Sequence, residues 1–133
     1  MRVLALDFGS ARCGCALSDP TGTLATPLGT LPEPASEPGI ERIRALVRER
    51  GVERVVVGLP LSLTGGDSEQ TRAARAFAHA LSERLAPVPV ELYDERLTTR
   101  LAQRMPGSAD EDSRAAAHLL EGWLARRRGP SSP

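Results

Sequence analysis

The amino-acid sequence predicts an α/β fold, in which a mixed five-stranded sheet combines an antiparallel meander with two parallel strands and carries helices on both faces. Three observations lead to this prediction. Three short apolar runs joined by tight turns fill residues 2–31, which is typical of an antiparallel meander. Two later apolar runs alternate with segments of helical spacing, and crossover connections make such strands parallel. Within the fourth run, Val55-Val56-Val57 has the continuous apolar pattern of a strand covered on both faces.

The individual strands are predicted from apolar-rich runs that are bounded by turn residues. Asp19-Pro20-Thr21-Gly22 is a strong turn signal between the second and third strands. In chain order, the predicted strands lie at residues 2–8, 13–17, 23–31, 52–58 and 88–93.

The helices are predicted from apolar residues that recur at helical spacing. Gly51 ends the first helix, and Asp67 or Ser68 caps the second. The helices are expected at residues 39–50, from that cap to Pro87, at residues 97–105 and at residues 108–127. This order of strands and helices is found in ribonuclease H-like folds.

Length and charge restrict the class of protein. A chain of 133 residues can bury about two-thirds of its surface, which suffices for one domain with a core. We expect residues 1–127 to form that domain and residues 128–133 to form a disordered tail. The 17 arginines balance 17 acidic residues, so any attraction for nucleic acid must be local. Asp7 interrupts the first apolar run, and no run reaches the roughly 18 residues of a membrane span, so a cytoplasmic protein without a membrane partner is expected.

Cysteine, histidine and aromatic residues do not indicate a reactive site. Cys13 and Cys15 have a spacing too short for a disulfide and are expected to be small buried residues. His79 and His118 fall in predicted helices, where surface positions are favoured over a role as general base. The aromatic residues are scattered, which excludes a platform for stacking bases, so a bound nucleic acid would be read through its backbone.

Carboxylates at the carboxyl ends of the parallel strands are the candidate functional residues, because open α/β sheets bind ligands there. Asp7 ends the first strand, and Glu95 follows the fifth. Asp112 begins the last helix in phase with its apolar stripe, whereas Glu111 points elsewhere and completes a capping box. A carboxylate on an apolar stripe is costly unless it faces a cation or a polar cleft.

Three converging carboxylates form a hard-oxygen site that suits Mg²⁺ or Mn²⁺. Asp7, Glu95 and Asp112 are therefore the predicted catalytic residues and metal ligands, and such a site favours phosphodiester hydrolysis. Taken singly, Asp7 could serve a turn, and Glu95 could pair with Arg96.

Polar residues near these carboxylates are expected to contact the substrate. Arg12 follows the first strand, Arg96 adjoins Glu95, and Arg100 shares a face of the short helix with Arg104. The arginines can form a basic rim for phosphates; alternatively, Arg96 pairs with an acid and the others face solvent. The predicted substrate-binding residues are Ser10, Arg12, Arg96, Thr98 and Arg100.

Several motifs together resemble those of one known family. They are Asp7-Phe8-Gly9 with Arg12 and Gly14, Ala16-Leu17-Ser18-Asp19, Gly58-Leu59-Pro60-Leu61 with Gly65, Asp94-Glu95-Arg96-Leu97-Thr98-Thr99 with Ala102, and Asp112 with Ala115-Ala116 and Leu119-Leu120. On these residues the chain resembles the YqgF/RuvX family from residue 3 to about residue 124. The first and fourth of these motifs are together quite specific.

The resemblance implies a bacterial cytoplasmic nuclease of ribonuclease H-like fold. It further implies a role in maturation of the 5′ end of precursor 16S rRNA, and the family is also described as Holliday junction resolvases. The family's acidic triad carries over to Asp7, Glu95 and Asp112. The chain departs from the family pattern in a shorter segment after Thr99, and in Ser62 and Thr64, which stand where the family has Asn and Asp.

Other functions remain open at the level of the sequence. Actin-like ATPases and sugar kinases begin with a similar strand and Asp-x-Gly, but they close two domains around the nucleotide, and this chain has the length of one. A module that binds nucleic acid without cleaving it is compatible with the neutral net charge. The substrate can be precursor rRNA or branched DNA, and symmetric cleavage of a four-way junction would require a homodimer.

Overall fold

The computed structural model describes residues 1–60, 68–95 and 109–128 of the chain. The strands are β1 Val3–Phe8, β2 Arg12–Ser18, β3 Ala25–Pro32, β4 Arg54–Leu59 and β5 Val90–Asp94. The helices are α1 Glu37–Glu49, α2 Glu69–Leu85 and α3 Ala109–Arg128. The short helix predicted at residues 97–105 lies outside the described residues. Among the described helices, none has the length and apolar character needed to cross a membrane.

The sheet has the mixed pairing that the sequence predicts. Its strand order is β3-β2-β1-β4-β5. Strand β1 pairs antiparallel with β2 and parallel with β4, and β4 pairs parallel with β5. The carboxyl ends of β1, β4 and β5 therefore lie at the same end of the sheet.

Each face of the sheet has its own hydrophobic core, because alternate residues of a strand point to opposite faces. In β1, Leu4 and Leu6 belong to the core formed with α1 and α2, whereas Val3 and Ala5 belong to the core formed with α3. Both leucines are fully buried, and burying one such side chain contributes roughly 1.5–3 kcal/mol. The predicted arrangement of helices on both faces is confirmed.

Strands β4 and β5 each begin two residues later than predicted. The N–H of Val52 donates to the carbonyl of Val47 at 3.0 Å and closes the end of α1. The N–H of Val88 donates to the carbonyl of Leu85 at 2.8 Å and closes the end of α2. These two N–H groups are hydrogen-bonded to the ends of the helices and not to a neighbouring strand. Each apolar run therefore begins before its strand does.

The turn before β3 is organised by the carboxylate of Asp19, which is why β3 also begins two residues later than predicted. Asp19 Oδ1 accepts the backbone N–H groups of Thr23 and Leu24 at 2.7 and 3.0 Å. Asp19 Oδ2 accepts the hydroxyl of Thr21 at 2.6 Å. The bond from Thr21, followed by the two backbone bonds, lowers the pKa of Asp19 below its usual value.

We expect Asp19 to titrate below the ordinary aspartate pKa of about 3.9. Because its pKa is lowered by folding, its stabilising contribution is present above about pH 3.9 and is lost as the pH falls through the folded-state value. Carboxyl NMR titration measures the pKa directly. In thermal melts at pH 7, Asp19→Ala should lower the Tm more than Asp19→Asn, which keeps the Oδ1 acceptor. An ordinary pKa, or equal melting temperatures for the two variants, would contradict this account.

Candidate functional site

A cleft of about 720 Å³ opens at the carboxyl end of β1. Its walls come from the turn between β1 and β2, from the first turns of α2 and α3, and from residues that follow β4 and β5. The described lining residues are Asp7, Phe8, Gly9, Ser10, Ala11, Arg12, Pro60, Glu69, Gln70, Ala73, Glu95 and Asp112. The cleft therefore lies where open α/β sheets bind their ligands.

All three carboxylates singled out from the sequence line this cleft. Asp7 is the penultimate residue of β1, Glu95 directly follows β5, and Asp112 lies in the first turn of α3. Each of them is partly exposed. Parallel pairing of β1, β4 and β5 brings the first two together, and the packing of α3 against the sheet adds the third.

Two glycines make room for the other two acidic residues, Gly14 for the backbone of Asp112 and Gly58 for the side chain of Glu95. Gly14 of β2 lies opposite Asp7 in the antiparallel register. A Cβ on Gly14 would lie 2.1 Å from the carbonyl oxygen of Asp112, so only glycine lets α3 come this close to β2. A Cβ on Gly58 of β4 would lie 2.7 Å from Glu95 Oε2. The absence of both side chains therefore shapes the site.

Ser113 fixes the first turn of α3 over an irregularity in the meander. The register of β2 and β3 shifts between Cys15 and Ala16, and Gly29 of β3 has a φ of +98°. The buried hydroxyl of Ser113 accepts the N–H of Gly29 at 2.8 Å and donates to the carbonyl of Cys15 at 3.4 Å. The backbone beside Asp112 is thus held by hydrogen bonds to two strands.

The first turn of α2 is anchored to the end of β4. Ser68 is the N-cap and accepts the N–H of Thr71 at 3.1 Å, which confirms one of the two predicted caps. The buried hydroxyl of Thr71 donates to the carbonyl of Pro60 at 2.5 Å. This anchoring places Glu69 and Gln70 at the cleft. No pattern in the sequence identifies these two residues as part of the site, because only the join between β4 and α2 brings them there.

Arg12 and Asp112 form an ion pair within the cleft, in which Arg12 Nε donates to Asp112 Oδ2. The two side chains are 43% and 31% exposed. Asp112 lines a polar cleft, which is one of the two surroundings expected for it; the cation beside it is Arg12, whereas the sequence predicted a metal ion. In this conformation Arg12 pairs with an acid, whereas the sequence offered a solvated side chain as the alternative to a phosphate contact.

The described lining of the cleft carries four carboxylates and one guanidinium. The carboxylates belong to Asp7, Glu69, Glu95 and Asp112, and the guanidinium belongs to Arg12. Such a surface repels a phosphodiester unless further cations offset its charge. Across the described ranges, no three His, Cys, Asp or Glu side chains are arranged to hold a metal ion in this conformation.

Of the predicted substrate-binding residues, Ser10 and Arg12 are among those that the structure describes. Ser10 is exposed at the cleft, in the turn between β1 and β2, close to Arg12. Arg96, Thr98 and Arg100 lie outside the described residues.

The two cysteines are free and buried, as predicted. A hydrogen bond with Cys15 and burial raise the pKa of the Cys13 thiol well above its usual value. The negative charges of Asp7 and Asp112 raise it further. Cys13 is therefore a neutral thiol near physiological pH and does not act as a nucleophile.

The two histidines lie on helix surfaces, as predicted. His79 Nε2 is 3.4 Å from Glu83 Oε2, and His118 Nδ1 is 3.4 Å from Glu121 Oε1. Neither histidine lines the cleft, so neither is placed to act as a general base there.

Comparison with known proteins identifies the family. A family model described as "RuvX: Holliday junction resolvase" matches residues 1–126. The chain belongs to the RuvX family. A protein of Thermobifida fusca named "Putative pre-16S rRNA nuclease" is 47% identical over 126 residues, which cover 95% of this chain and 70% of that protein. A protein of the same name from Mycobacteroides abscessus is 45% identical over 137 residues, covering 96% and 82% of the two chains.

The solved structures confirm the fold of this RuvX-family chain. Thermus thermophilus RuvC aligns with a TM-score of 0.59 at 17% identity, covering 100% of this chain and 99% of that chain. The same RuvC in complex with a Holliday junction substrate aligns with the same TM-score, identity and coverage. Together with the strand order, this likeness confirms the ribonuclease H-like fold.

Alanine substitutions at the two site glycines of this RuvX-family chain should have different effects. Gly14→Ala sets a Cβ against helix backbone, so we expect the free energy of unfolding to fall by about 1–3 kcal/mol. Gly58→Ala meets mainly the Glu95 side chain, which can rotate away at a smaller cost. Urea unfolding compares the stabilities, and the carboxyl NMR signal of Glu95 reports its displacement. Equal losses of stability, or an unmoved Glu95 signal in Gly58→Ala, would contradict this assignment.

Proposed function

We propose that this RuvX-family chain is a divalent-metal-dependent nuclease that hydrolyses phosphodiester bonds during 5′-end processing of precursor 16S rRNA, in the cytoplasm. One observation carries the proposal: three carboxylates from separate segments, Asp7, Glu95 and Asp112, line a single cleft at the end of the parallel strands. The relatives named as pre-16S rRNA nucleases support the choice of substrate.

The charge of the cleft supports a role for a divalent cation. Four carboxylates and one guanidinium leave the described lining with an excess of negative charge, which has to be offset before a phosphate can enter. Carboxylate oxygens are the donors that Mg²⁺ and Mn²⁺ prefer. The donor types present thus suit such an ion, and Asp7, Glu95 and Asp112 would hold it once their side chains move from the conformation described above. Held by these three residues, a divalent ion would supply activation of a water for attack on phosphorus and stabilisation of the departing oxygen.

The remaining lining residues suit a substrate that is bound through its phosphates. Ser10 and Arg12 place a hydroxyl and a guanidinium at the rim, and both groups can donate to phosphate oxygens. Among the described lining residues, the one aromatic side chain is Phe8, whose ring stacks on Phe77 with centroids 4.5 Å apart. Phe8 therefore supports the position of α2. We extend the phosphate-binding role to Arg96, Thr98 and Arg100 because they directly follow Glu95 in the chain.

A second candidate function is resolution of four-way DNA junctions, which the description of the RuvX family favours. Symmetric cleavage of a junction needs two active sites and hence a homodimer, whereas trimming the end of a precursor RNA needs one site. The two functions therefore differ in the oligomeric state that they require.

Removal of any one carboxylate should abolish most of the activity. We expect Asp7→Asn, Glu95→Gln and Asp112→Asn each to lower the cleavage rate by about 10²–10⁴-fold, because charge stabilisation in the transition state is lost. Cleavage of a labelled precursor 16S rRNA leader is measured with Mg²⁺, with Mn²⁺ and with a chelator. Glu49→Gln, an exposed change on α1, is the matched control and should keep full activity. Full activity of an acid variant removes that residue from the catalytic set, and full activity in chelator refutes the need for a metal.

A direct comparison of substrates separates the two candidate functions. The same preparation is offered a labelled precursor 16S rRNA leader and a labelled four-way junction at equal concentrations, with Asp7→Asn as the control for contaminating nucleases. We expect faster cleavage of the RNA than of the junction. Preferential cleavage of the junction by a dimer would favour the second candidate, and binding without cleavage of either substrate would indicate a catalytically inactive binding module.

A further inference from the structure

We propose that Arg12 is an exchangeable counter-ion of Asp112: it holds this carboxylate while the cleft contains no divalent cation, and it releases the carboxylate when a cation binds. This inference rests on the proposed metal-dependent function and deepens it. It treats the Arg12–Asp112 ion pair as the contact that a divalent cation would replace.

The charges of the cleft favour an exchange of Arg12 for a divalent cation. Among its described lining residues, Arg12 alone is positively charged and faces four carboxylates. Crowded carboxylates repel one another unless a cation lies among them. Arg12 supplies that cation from within the chain, and it does so through one oxygen of Asp112. A divalent ion in the cleft would compete with Arg12 for this carboxylate.

The partial exposure of the ion pair makes it easy to displace. Both side chains are partly exposed, at 43% and 31%, and exposed ion pairs change an equilibrium by only about 1.5- to 5-fold. The pair is therefore weak enough to be displaced by a divalent cation. A buried pair would not be exchangeable in this way, because separating it would leave an uncompensated charge in the interior.

The backbone on both sides of the ion pair is held in place, so the exchange does not require it to move. The carbonyl of Asp112 packs against Gly14, and Ser113 is hydrogen-bonded to two strands, so α3 is fixed at this point. Arg12 is held in the sheet by its pairing with Pro32 in β3. The exchange therefore needs only rotation of the two side chains. Arg12 stays at the rim of the cleft after its release.

The exchange can be followed at the Arg12 guanidinium by NMR, without nucleic acid. In protein labelled with ¹⁵N-arginine, the Arg12 Nε–H signal is the one that Arg12→Lys lacks. We expect titration with Mg²⁺ to move this signal toward its position in metal-free Asp112→Asn, in which the pair is absent. The signal of Arg48, exposed on α1, should stay in place. An Arg12 signal that is unchanged by saturating Mg²⁺ would overturn the proposal.

Calorimetry with Mn²⁺ supplies an independent measurement. Arg12→Gln removes the competing cation, so we expect it to bind Mn²⁺ about 2- to 5-fold more tightly than the wild type. Arg48→Gln, which removes the same charge far from the cleft, should bind Mn²⁺ like the wild type. Unchanged or weaker binding by Arg12→Gln would overturn the proposal, and weaker binding would show instead that Arg12 positions Asp112 for the metal.

The two proposals fail in different ways. If the wild type binds neither Mg²⁺ nor Mn²⁺, the metal-dependent function is refuted and the exchange with it. If the wild type binds the ions but Arg12 does not respond, only the exchange is refuted. Circular dichroism of Arg12→Gln and Arg12→Lys verifies that the variants are folded. If one of them does not fold, the other still identifies the Arg12 signal, because both lack the guanidinium, and the NMR titration of the wild type decides the proposal.

Discussion

The first turn of α3 lies so close to β2 that a Cβ on Gly14 would be 2.1 Å from the carbonyl oxygen of Asp112. This close approach determines most of the site. It carries the carboxylate of Asp112 to the sheet beside Asp7, and it brings Ser113 within hydrogen-bonding distance of Gly29 and Cys15. The missing side chain of Gly14 and the irregular stretch of the meander therefore meet α3 at the same place, the first through close approach and the second through the hydrogen bonds of Ser113.

Charge imposes a second constraint on the same small region. The fold gathers negative charge from different parts of the chain into one cleft. Its described lining includes Asp7, Glu95 and Asp112, and Glu69 joins them from α2. Such an arrangement is costly in the absence of cations, and the described part of the cleft answers it with Arg12. The stability of the fold around the cleft and the proposed binding of a cation would thus depend on the same carboxylates, which is common where function opposes local stability.

The regular parts of the fold could be predicted from periodicity because burial and hydrogen bonding there depend on local sequence. Val55-Val56-Val57 lies in a strand covered by helices on both sides, and Phe77 and Leu81 lie in the core beneath α2, as their spacing indicates. The starts of β3, β4 and β5 were wrong by two residues, because turn and helix-end hydrogen bonds took backbone groups that the apolar pattern assigns to strands.

The sequence by itself determined the fold class, the family and the three carboxylates, because each is recorded in residue type and spacing along the chain. Only the tertiary structure decided that Arg12 pairs with Asp112 and that Glu69 and Gln70 line the cleft. It also decided that Gly14 makes room for the backbone of Asp112 and Gly58 for the carboxylate of Glu95. The physical reason is distance along the chain. Arg12 and Asp112 are 100 residues apart, and whether two such groups meet depends on strand register and helix packing, which no local pattern encodes.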